Sequence, residues 1–431
     1  MSRSIFVIDG KDNVGVAPAK LSAGETVSAL TIREEIPAGH KVLLYDLPAG
    51  ATIIKYGIPI GRLKEDLKAG SWVHEHNLID ITEELCEEYG SRFLKESPTI
   101  NVFPRTDGGF GVANYVMLFP TSVKANALAK RLSDQTGAFW LVADPNLSEG
   151  GRLSEKQKHD LIHTALSRNI YAAFLLDVEG SEDLTKIAEV LSTSGQKVIG
   201  GCISGPEEEK EAEDKILELL AEAERTERVK RPVSGLTVTV HCAGSDWTTA
   251  LSGNPALGIA ADHIVKNGGY VFMDEWNGFP GSEHILAARA ETKVLGAEII
   301  KKVKGVREGI FQRTGKHVED FNPLPSNKEG GITTLVEKST GNIKKAGSTP
   351  IRGILKPGEH PAAPGVYLLD QECGAPASTG IYGAMSGAHI NVLVSGVGYL
   401  YDEIPHLLNI RQTGNQDIDM GSRHSTVDPC G

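Results

Sequence analysis

From residue 115 onward, short apolar runs alternate with segments of helical pattern, and this alternation limits the possible folds more than any other feature of the chain. The runs lie at residues 115–120, 138–144, 171–178, 197–203, 236–244 and 270–276, each followed by a helical segment. Continuous apolar strands joined by helices are typical of mostly parallel sheets that helices cover. We therefore predict α/β layers for this part of the chain, with one helix over 205–230 and another over 282–305.

Residues 1–80 show a different pattern. Brief apolar or alternating runs there, one of them over 71–79, are bounded by turns rich in Gly and Pro, which predicts a small β-rich module. A helical pattern over 81–96 and the Arg231-Pro232 sequence after the charged helix indicate boundaries. We expect three domains, at residues 1–95, 96–230 and 231–431.

The charge and the cysteine content argue against several classes of protein. A formal net charge of -12 over 431 residues is unlike a general nucleic-acid binder, which needs a surface rich in Lys and Arg. No apolar stretch reaches the roughly 18 residues that cross a bilayer, and the first residues lack the pattern of a signal peptide. The five cysteines are scattered without a CxxC pair, unlike a disulfide framework or a structural zinc site. We expect a cytoplasmic protein that binds neither nucleic acid nor membrane.

The first candidate functional segment contains two histidines. His74 and His76 stand two residues apart in a predicted strand, so both side chains would face the same side. Two imidazoles on one face can bind a transition metal or a carboxylate. A surface strand with two solvated histidines would have the same pattern.

Two of the predicted strands end in residues that can carry chemistry. Residues 242–246 follow one strand and residues 274–277 follow another. In open α/β sheets, ligands bind at the carboxyl ends of strands, where helix N-termini attract anions. Cys242, Asp246 and Glu275 are therefore candidate ligands, acids or bases. Polar caps of tight strand-to-helix connections would look similar.

Further along the chain, small residues flank a Glu-Lys pair. Residues 325–334 include Asn327, Lys328 and Thr333, and a second cluster over 337–341 includes Lys338. Such a stretch can place backbone amides and an ammonium around an anionic substrate. A flexible loop with a surface ion pair is the alternative.

Together, these segments resemble the altronate/galactarate dehydratase family over nearly the whole chain. Residues 40–41, 54–57, 60–61 and 73–77 resemble its N-terminal SAF-type (β-clip) module. Residues 105–108 and 114–115 resemble a DGRxGxRNY motif, and residues 231–234, 242–246 and 254–258 resemble a run ending in CGGSD and NPALG. Residues 327–334 with 337–339 resemble GNxxGGxTTxEEKSLG. From the order and spacing of these motifs, the chain is identified as a member of the family.

The chain departs from the family pattern at three thiols and one arginine. Lys124 replaces the Cys of a PTxxCxN motif, and residues 177–180 and 339–342 lack the Cys of two further motifs, whereas Cys242 remains. If the missing thiols bind iron in the family, a harder N/O ligand set is expected here. Ala113 replaces an Arg, which removes a bidentate carboxylate partner. These departures imply a different choice of substrate or a loss of activity.

The resemblance implies that the chain eliminates water from a 2,3-dihydroxy sugar acid and produces a 2-keto-3-deoxy acid. A divalent metal, Fe²⁺ or Mn²⁺, would bind the developing enolate, and an acid would protonate the leaving hydroxyl. We expect His74, His76 and Cys242 to hold the metal, and we expect catalytic roles for these three residues together with Asp246 and Glu275. The expected substrate-binding residues are Lys55, Arg105, Asn114, Ser245, Asn327, Lys328, Thr333 and Lys338.

Two other functions fit the same resemblance. The first is a related lyase with a changed substrate or leaving group, similar to the sulfolactate sulfo-lyases. The second is a non-catalytic homologue that binds sugar acids. In each case the expected partner is a small acid, and a homodimer is an expected assembly.

Overall fold

The computed structural model describes residues 4–7, 9–55, 57–81, 98–142, 154–178, 182–193, 197–371, 376–396 and 408–412. The chain divides into two compact units, Met1–Ser97 and Pro98–Gly431. The helix predicted over 81–96 lies outside the described residues except for Ile81. The division into three domains stays a prediction.

Eight short strands build the described part of the first unit, which confirms the predicted β-rich module. They are β1 (Val14–Val16), β2 (Thr26–Val27), β3 (Leu30–Thr31), β4 (Lys41–Leu43), β5 (Thr52–Lys55), β6 (Ile58–Leu63), β7 (Trp72–Val73) and β8 (Leu78–Ile79). All their pairings are antiparallel, in sheets of order β1-β4-β7, β5-β6-β8 and β2-β3. Alternate strand residues, such as Val42 and Leu43 on opposite faces of β4, fill two small apolar cores.

The strand predicted over 71–79 is interrupted, so the placement of His74 and His76 on a strand is wrong. β7 ends at Val73, and residues 74–77 form a turn. The buried side chain of Asn77 stabilises this turn: its Oδ1 accepts from the His74 N–H at 2.9 Å, and its Nδ2 donates to the Trp72 carbonyl at 2.8 Å. An Asn side chain that bonds nearby backbone competes with a strand in this way.

The second unit contains two parallel sheets, which confirms the α/β prediction. The smaller sheet has the order β12-β11-β13-β14, and all its pairings are parallel. Its strands are β11 (Tyr115–Pro120), β12 (Phe139–Trp140), β13 (Ile170–Asp177) and β14 (Lys197–Cys202). The helices of this region are α1 (Asn126–Thr136), α2 (Glu155–Ala165), α3 (Glu182–Thr193) and α4 (Pro206–Arg225).

The larger sheet has the order β18-β19-β17-β16-β20-β21, again with every pairing parallel. Its strands are β16 (Thr237–Cys242), β17 (Tyr270–Met273), β18 (Ile351–Leu355), β19 (Gly365–Leu369), β20 (Ile390–Val394) and β21 (Leu408–Gln412). The helices here are α5 (Asn254–Lys266), α6 (Glu283–Ala288), α7 (Lys293–Thr314), α8 (Pro325–Glu329), α9 (Leu335–Asn342) and α10 (Pro376–Met385). The largest apolar core packs around the central strands, where Val240, Val271 and Val366 are buried.

Two predicted helices differ in extent from the prediction: one is shorter, and the other is divided and continues to Thr314. The charged helix ends at Arg225 rather than at residue 230, because Val229–Pro232 forms the strand β15, which pairs with β9 (Thr99–Pro104). The other edge of β9 pairs with β10 (Phe110–Gly111). The helix predicted over 282–305 is divided into α6 and α7, since the Thr292 hydroxyl accepts from the Leu295 N–H and begins a new helix. No described helix is both long and apolar enough to cross a membrane.

Candidate active site

The carboxyl ends of β16 and β17 lie side by side, because Val240 pairs with Met273 in a parallel register. Cys242 ends β16, and Glu275 follows β17 by two residues. The backbone N–H of Cys242 donates to Glu275 Oε1 at 3.3 Å. Glu275 has a φ of 77°, a left-handed conformation that costs free energy for any residue with a side chain. Because such strain persists mainly at functional sites, this strand edge is the candidate active site.

A lysine side chain is completely buried among these residues. Lys345, which lies in the short 3₁₀ turn after α9, has a side-chain exposure of 0%. Its Nζ donates to the Glu275 carboxylate and to Asn342 Oδ1, and it lies 3.6 Å from Cys242 Sγ. A buried ammonium is tolerated only where anionic and hydrogen-bonding partners replace water. The cluster therefore holds one positive charge beside the thiol.

Asn342 stands where the family motif would place a cysteine, at the end of α9. Its Oδ1 accepts from Cys242 Sγ at 3.3 Å. Its Nδ2 donates to the Gly278 carbonyl at 3.5 Å, and a Cβ on Gly278 would lie only 2.8 Å from that nitrogen. The replacement of the thiol thus leaves a neutral polar side chain in contact with Cys242.

A pocket of about 210 Å³ opens in front of this cluster. Cys242, Ala243, Gly244, Glu275, Asn277, Gly278, Phe321, Asn322, Leu324, Asn327, Lys338 and Asn342 line it. Lys338 Nζ donates to the side-chain oxygens of Asn322 and Asn327, at 2.7 and 2.8 Å. Because both of these partners are neutral, they orient the ammonium without cancelling its charge. The pocket is therefore suited to an anionic ligand.

The pKa values of the two lysines are shifted in opposite directions. Burial lowers the pKa of Lys338, and the negative charges of Cys242 and Glu275 only partly offset that effect. Burial also acts to lower the pKa of Lys345, but the charges of Cys242 and Glu275, with the hydrogen bond to Glu275, raise it overall. Lys345 thus keeps its proton and its charge, whereas Lys338 loses its proton at a lower pH than an ordinary lysine does.

Four of the predicted site residues meet in this pocket: Cys242, Glu275, Asn327 and Lys338. Asp246, only 4% exposed, does not line it. Its Oδ1 accepts from the Thr249 N–H at 3.0 Å and from the Thr248 hydroxyl at 2.6 Å. These bonds begin the helical turn that precedes α5, so the geometry favours the capping alternative for Asp246.

Three neighbouring candidates also lie outside the pocket lining. Ser245 offers its backbone carbonyl to Asn327 Nδ2 at 2.8 Å. Lys328 is exposed on α8. Thr333 is exposed and bonds Glu337 through both its N–H and its hydroxyl. Their roles in substrate binding stay predictions.

The remaining candidates are Arg105 and Asn114 in the second unit, and Lys55, His74 and His76 in the first unit. Arg105 Nη1 donates to Asn114 Oδ1 at 2.9 Å, and Asn114 Nδ2 donates to the Ala223 carbonyl, so both side chains tie backbone segments together. Lys55 is the last residue of β5 in the first unit. His74 and His76 lie in the turn that follows β7. The His74 and His76 rings are stacked with 6.4 Å between centroids. Their predicted roles stay predictions.

Sequence reasoning missed Lys345, Asn342 and Asn322. Lys345 follows Lys344, and no residue pattern distinguishes the two, although Lys344 is exposed and Lys345 is buried. Asn342 was noted only as a missing cysteine. The left-handed backbone of Glu275 is a further signal that becomes visible only in three dimensions.

The residues at the strand ends do not fit the metal predicted on Cys242. The Lys345 ammonium contacts the three donors that could hold a cation there, namely Cys242, Glu275 and Asn342. A second cation on the same atoms would be repelled by this ammonium. Among the described residues, no three His, Cys, Asp or Glu side chains are grouped to hold a metal ion. A metal on His74 and His76 stays a prediction.

This fold and this pocket define an α/β protein with a pocket, suited to an anionic ligand, at the ends of parallel strands. Residues 3–80 match the family model for the altronate/galactarate dehydratase SAF domain, and residues 233–419 match that for the C-terminal part of D-galactarate/altronate dehydratase. The chain belongs to the altronate/galactarate dehydratase family, as a divergent member, and is a carbon–oxygen lyase.

Three relatives show the extent of the similarity. The altronate dehydratase of Escherichia coli is 28% identical over 91% of this chain and 84% of its own length. That of Bacillus subtilis is 28% identical over 85% of this chain and 78% of its own length. The (2R)-sulfolactate sulfo-lyase subunit beta of Chromohalobacter salexigens is 26% identical over 76% of this chain and 85% of its own length.

Proposed function

We propose that this chain eliminates water from a 2,3-dihydroxy sugar acid, an aldonate or aldarate similar to altronate or galactarate, and produces a 2-keto-3-deoxy acid. The observation that carries the proposal is the half-buried ammonium of Lys338 in the same pocket as Cys242 and Glu275, together with the buried ammonium of Lys345 in contact with both of them. Removing a proton next to a carboxylate creates a second negative charge, and nearby positive charge is what lowers that barrier.

Lys338 binds the substrate carboxylate in this proposal. Its ammonium lies in the pocket lining and is oriented by two neutral amide oxygens, so a carboxylate can approach it without displacing an acidic side chain. A charge-assisted hydrogen bond in a partly buried site is stronger than one in water. Binding therefore places the C2 proton of the acid towards the Cys242 edge.

Cys242 acts as the base, and Lys345 compensates the new charge. In this proposal the reacting form is the Cys242 thiolate beside the Lys345 ammonium: the sulfur takes the C2 proton, the electron pair of the C2–H bond forms the C2–C3 double bond, and the C3–O bond breaks. The same proton then passes to the leaving hydroxyl, which departs as water, and the enol product tautomerises to the 2-keto acid. Lys345, 3.6 Å from the sulfur, remains charged throughout. Glu275 holds both the Cys242 N–H and the Lys345 ammonium in place.

The experiment is a panel of aldonates and aldarates assayed for 2-keto acid release, with EDTA and with added Fe²⁺ or Mn²⁺. The wild-type chain should form product from at least one acid, and Lys338→Met should raise KM for it. Lys316→Met is the control, because Lys316 is exposed in the loop after α7. No product from any acid under any metal condition, with folded protein, would refute the proposal.

A second candidate is the elimination of sulfite from a sulfonated hydroxy acid. It is supported by the 26% identity to the sulfo-lyase subunit, which is a similarity nearly as high as that to the dehydratases. Lys338, which lines the pocket, would bind the carboxylate or the sulfonate of such an acid, whereas Lys345 is completely buried. Sulfite release from sulfolactate, with no 2-keto-3-deoxy acid from the sugar acids, would select this candidate. Thermal shifts by sugar acids with neither product would select a binding protein.

A further inference from the structure

A second and larger cavity lies at the opposite end of the same strands. Its volume is about 490 Å³. Thr237, the first residue of β16, and Tyr270, the first residue of β17, both line it. Since β16 rises about 3.3 Å per residue, Thr237 lies roughly 16 Å from Cys242 at the other end of the strand. The cavity is therefore separate from the candidate active site, and no residue lines both.

The lining of this cavity contains two arginines and two histidines but no Asp or Glu. Its residues are Gly108, Gly109, Phe110, Arg168, Arg231, Pro232, Ser234, Gly235, Thr237, Tyr270, His360, Pro361, Ser386, Gly387 and His389. This composition stands out in a chain whose net charge is -12. Arg168 pairs with Asp107 beside the cavity, whereas Arg231 Nη1 donates to the neutral Gly108 carbonyl at 2.8 Å. Arg168 thus has a carboxylate as its partner, whereas Arg231 bonds a neutral carbonyl.

The titration of neighbouring groups agrees with an excess of positive charge. The pKa of His389 is about 4, lowered first by burial and then by the charges of Arg168 and Arg105. Burial also lowers the pKa of His360 and, to about 10, that of Arg105, with Arg168 adding to the effect in each case. An anion would relieve this mutual repulsion.

Several glycines line the cavity. Because they have no side chains, the donor groups of neighbouring residues are not covered. A Cβ on Gly109 would lie 2.8 Å from Arg168 Nη1, and one on Gly387 would lie 3.1 Å from His360 Nδ1. Gly387 and Gly108 also have φ values of 94° and 82°, which larger residues rarely adopt. The backbone therefore leaves room for a ligand beside these cationic side chains.

We propose that this cavity is a binding site for a small oxyanion, a carboxylate or a phosphate group, distinct from the catalytic pocket. Arg231 is its central ligand, because its guanidinium keeps donors that the Gly108 carbonyl does not use. Arg168 is the second ligand. The inference does not depend on the reaction that the chain catalyses.

The test is calorimetric titration of the full chain with citrate and, separately, with inorganic phosphate. Wild type and variants Arg231→Gln and Lys230→Gln are compared. Lys230 is the matched control, because it is the exposed neighbour of Arg231 on β15 and its loss changes the net charge equally. We expect saturable binding to the wild type. Arg231→Gln should lower the affinity for the anion by about tenfold or more, and Lys230→Gln should change it by no more than about twofold.

The comparison of the two titrants identifies the class of ligand, since a carboxylate site prefers citrate and a phosphate site prefers phosphate. Arg231→Lys checks for misfolding, because it keeps the charge and should retain part of the affinity. The proposal is overturned if neither anion binds saturably to the wild type at millimolar concentration. It is also overturned if both charge-removing variants weaken binding equally, which would mean only a general charge effect.

Discussion

The Nζ atom of Lys345 lies 3.6 Å from the Sγ atom of Cys242, and the same ammonium bonds the Glu275 carboxylate. The three residues come from a turn after α9, the end of β16 and the segment after β17. Their contact links the charge of the site to the stability of the fold, since neither the ammonium nor the carboxylate is tolerated when it is buried alone.

Removal of the Lys345 charge should impair both stability and catalysis. Lys345→Met leaves the Glu275 carboxylate buried without its ion pair, which costs about 3–5 kcal/mol of unfolding free energy. Among molecules that remain folded, kcat should fall by ~100-fold or more. Chemical denaturation and initial rates of 2-keto acid formation measure the two effects. Lys344→Met should change neither, because Lys344 is exposed; equal effects in both variants would contradict the assigned role.

Cys242→Ser tests the proposed base. Oxygen is far less easily ionised than sulfur, so kcat should fall by about 100-fold or more, while substrate affinity, which depends on Lys338, should change little. The control is Cys202→Ser, since Cys202 is an exposed free thiol at the end of β14. Full activity of Cys242→Ser would exclude the thiol as the base.

Substrate binding should weaken at alkaline pH values that are lower than those at which an ordinary lysine loses its proton. Burial lowers the pKa of Lys338 from 10.5, so its ammonium loses the proton earlier than an ordinary lysine as the pH rises. KM should therefore increase with pH once this lowered pKa is passed, and decrease again on return to neutral pH. The measurement is a KM profile from pH 7 to 10.5; a flat KM would mean that Lys338 does not bind the carboxylate.

Asp246 should prove to be a structural residue. Asp246→Ala leaves the Thr248 and Thr249 donors without their acceptor, and about 1–3 kcal/mol of stability should be lost. The kcat of the folded fraction should stay within a few-fold of wild type, because the side chain does not line the pocket. Thermal unfolding and active-site titration give the two values. A large loss of kcat without destabilisation would restore its predicted catalytic role.

Acid should destabilise the second unit through His389. The folded pKa of His389 is about 4, below the usual 6.5, because burial disfavours the charged ring and the charges of Arg168 and Arg105 disfavour it further. The contribution of the neutral ring to the free energy of unfolding is complete above pH 6.5. It is lost as the pH falls towards 4, and the loss over that interval is ~3 kcal/mol. Denaturation at several pH values should show a shallower acid slope for His389→Gln. The exposed His284→Gln should leave the slope unchanged.

The sequence alone determined the architecture, because the signals for it are local. Apolar runs alternating with helical segments predicted the parallel sheets, and the motifs around Cys242 and Asn327 predicted part of the pocket. Local signals also failed where one side chain overrides a pattern: the Asn77 amide turns the chain at His74, and pairing with β9 extends Val229–Pro232 as a strand. In both cases the competing bond joins groups whose positions a residue pattern does not reveal.

Only the tertiary structure decided the electrostatics of the sites. Lys344 and Lys345 are identical in the sequence, yet one is exposed and the other is buried against Cys242. Arg231 and Lys230 differ in the same way, since only one of them faces the cavity at the start of β16. Burial and the proximity of charges arise from segments far apart in the chain, and these two quantities decide whether a lysine or an arginine is surface charge or part of a site.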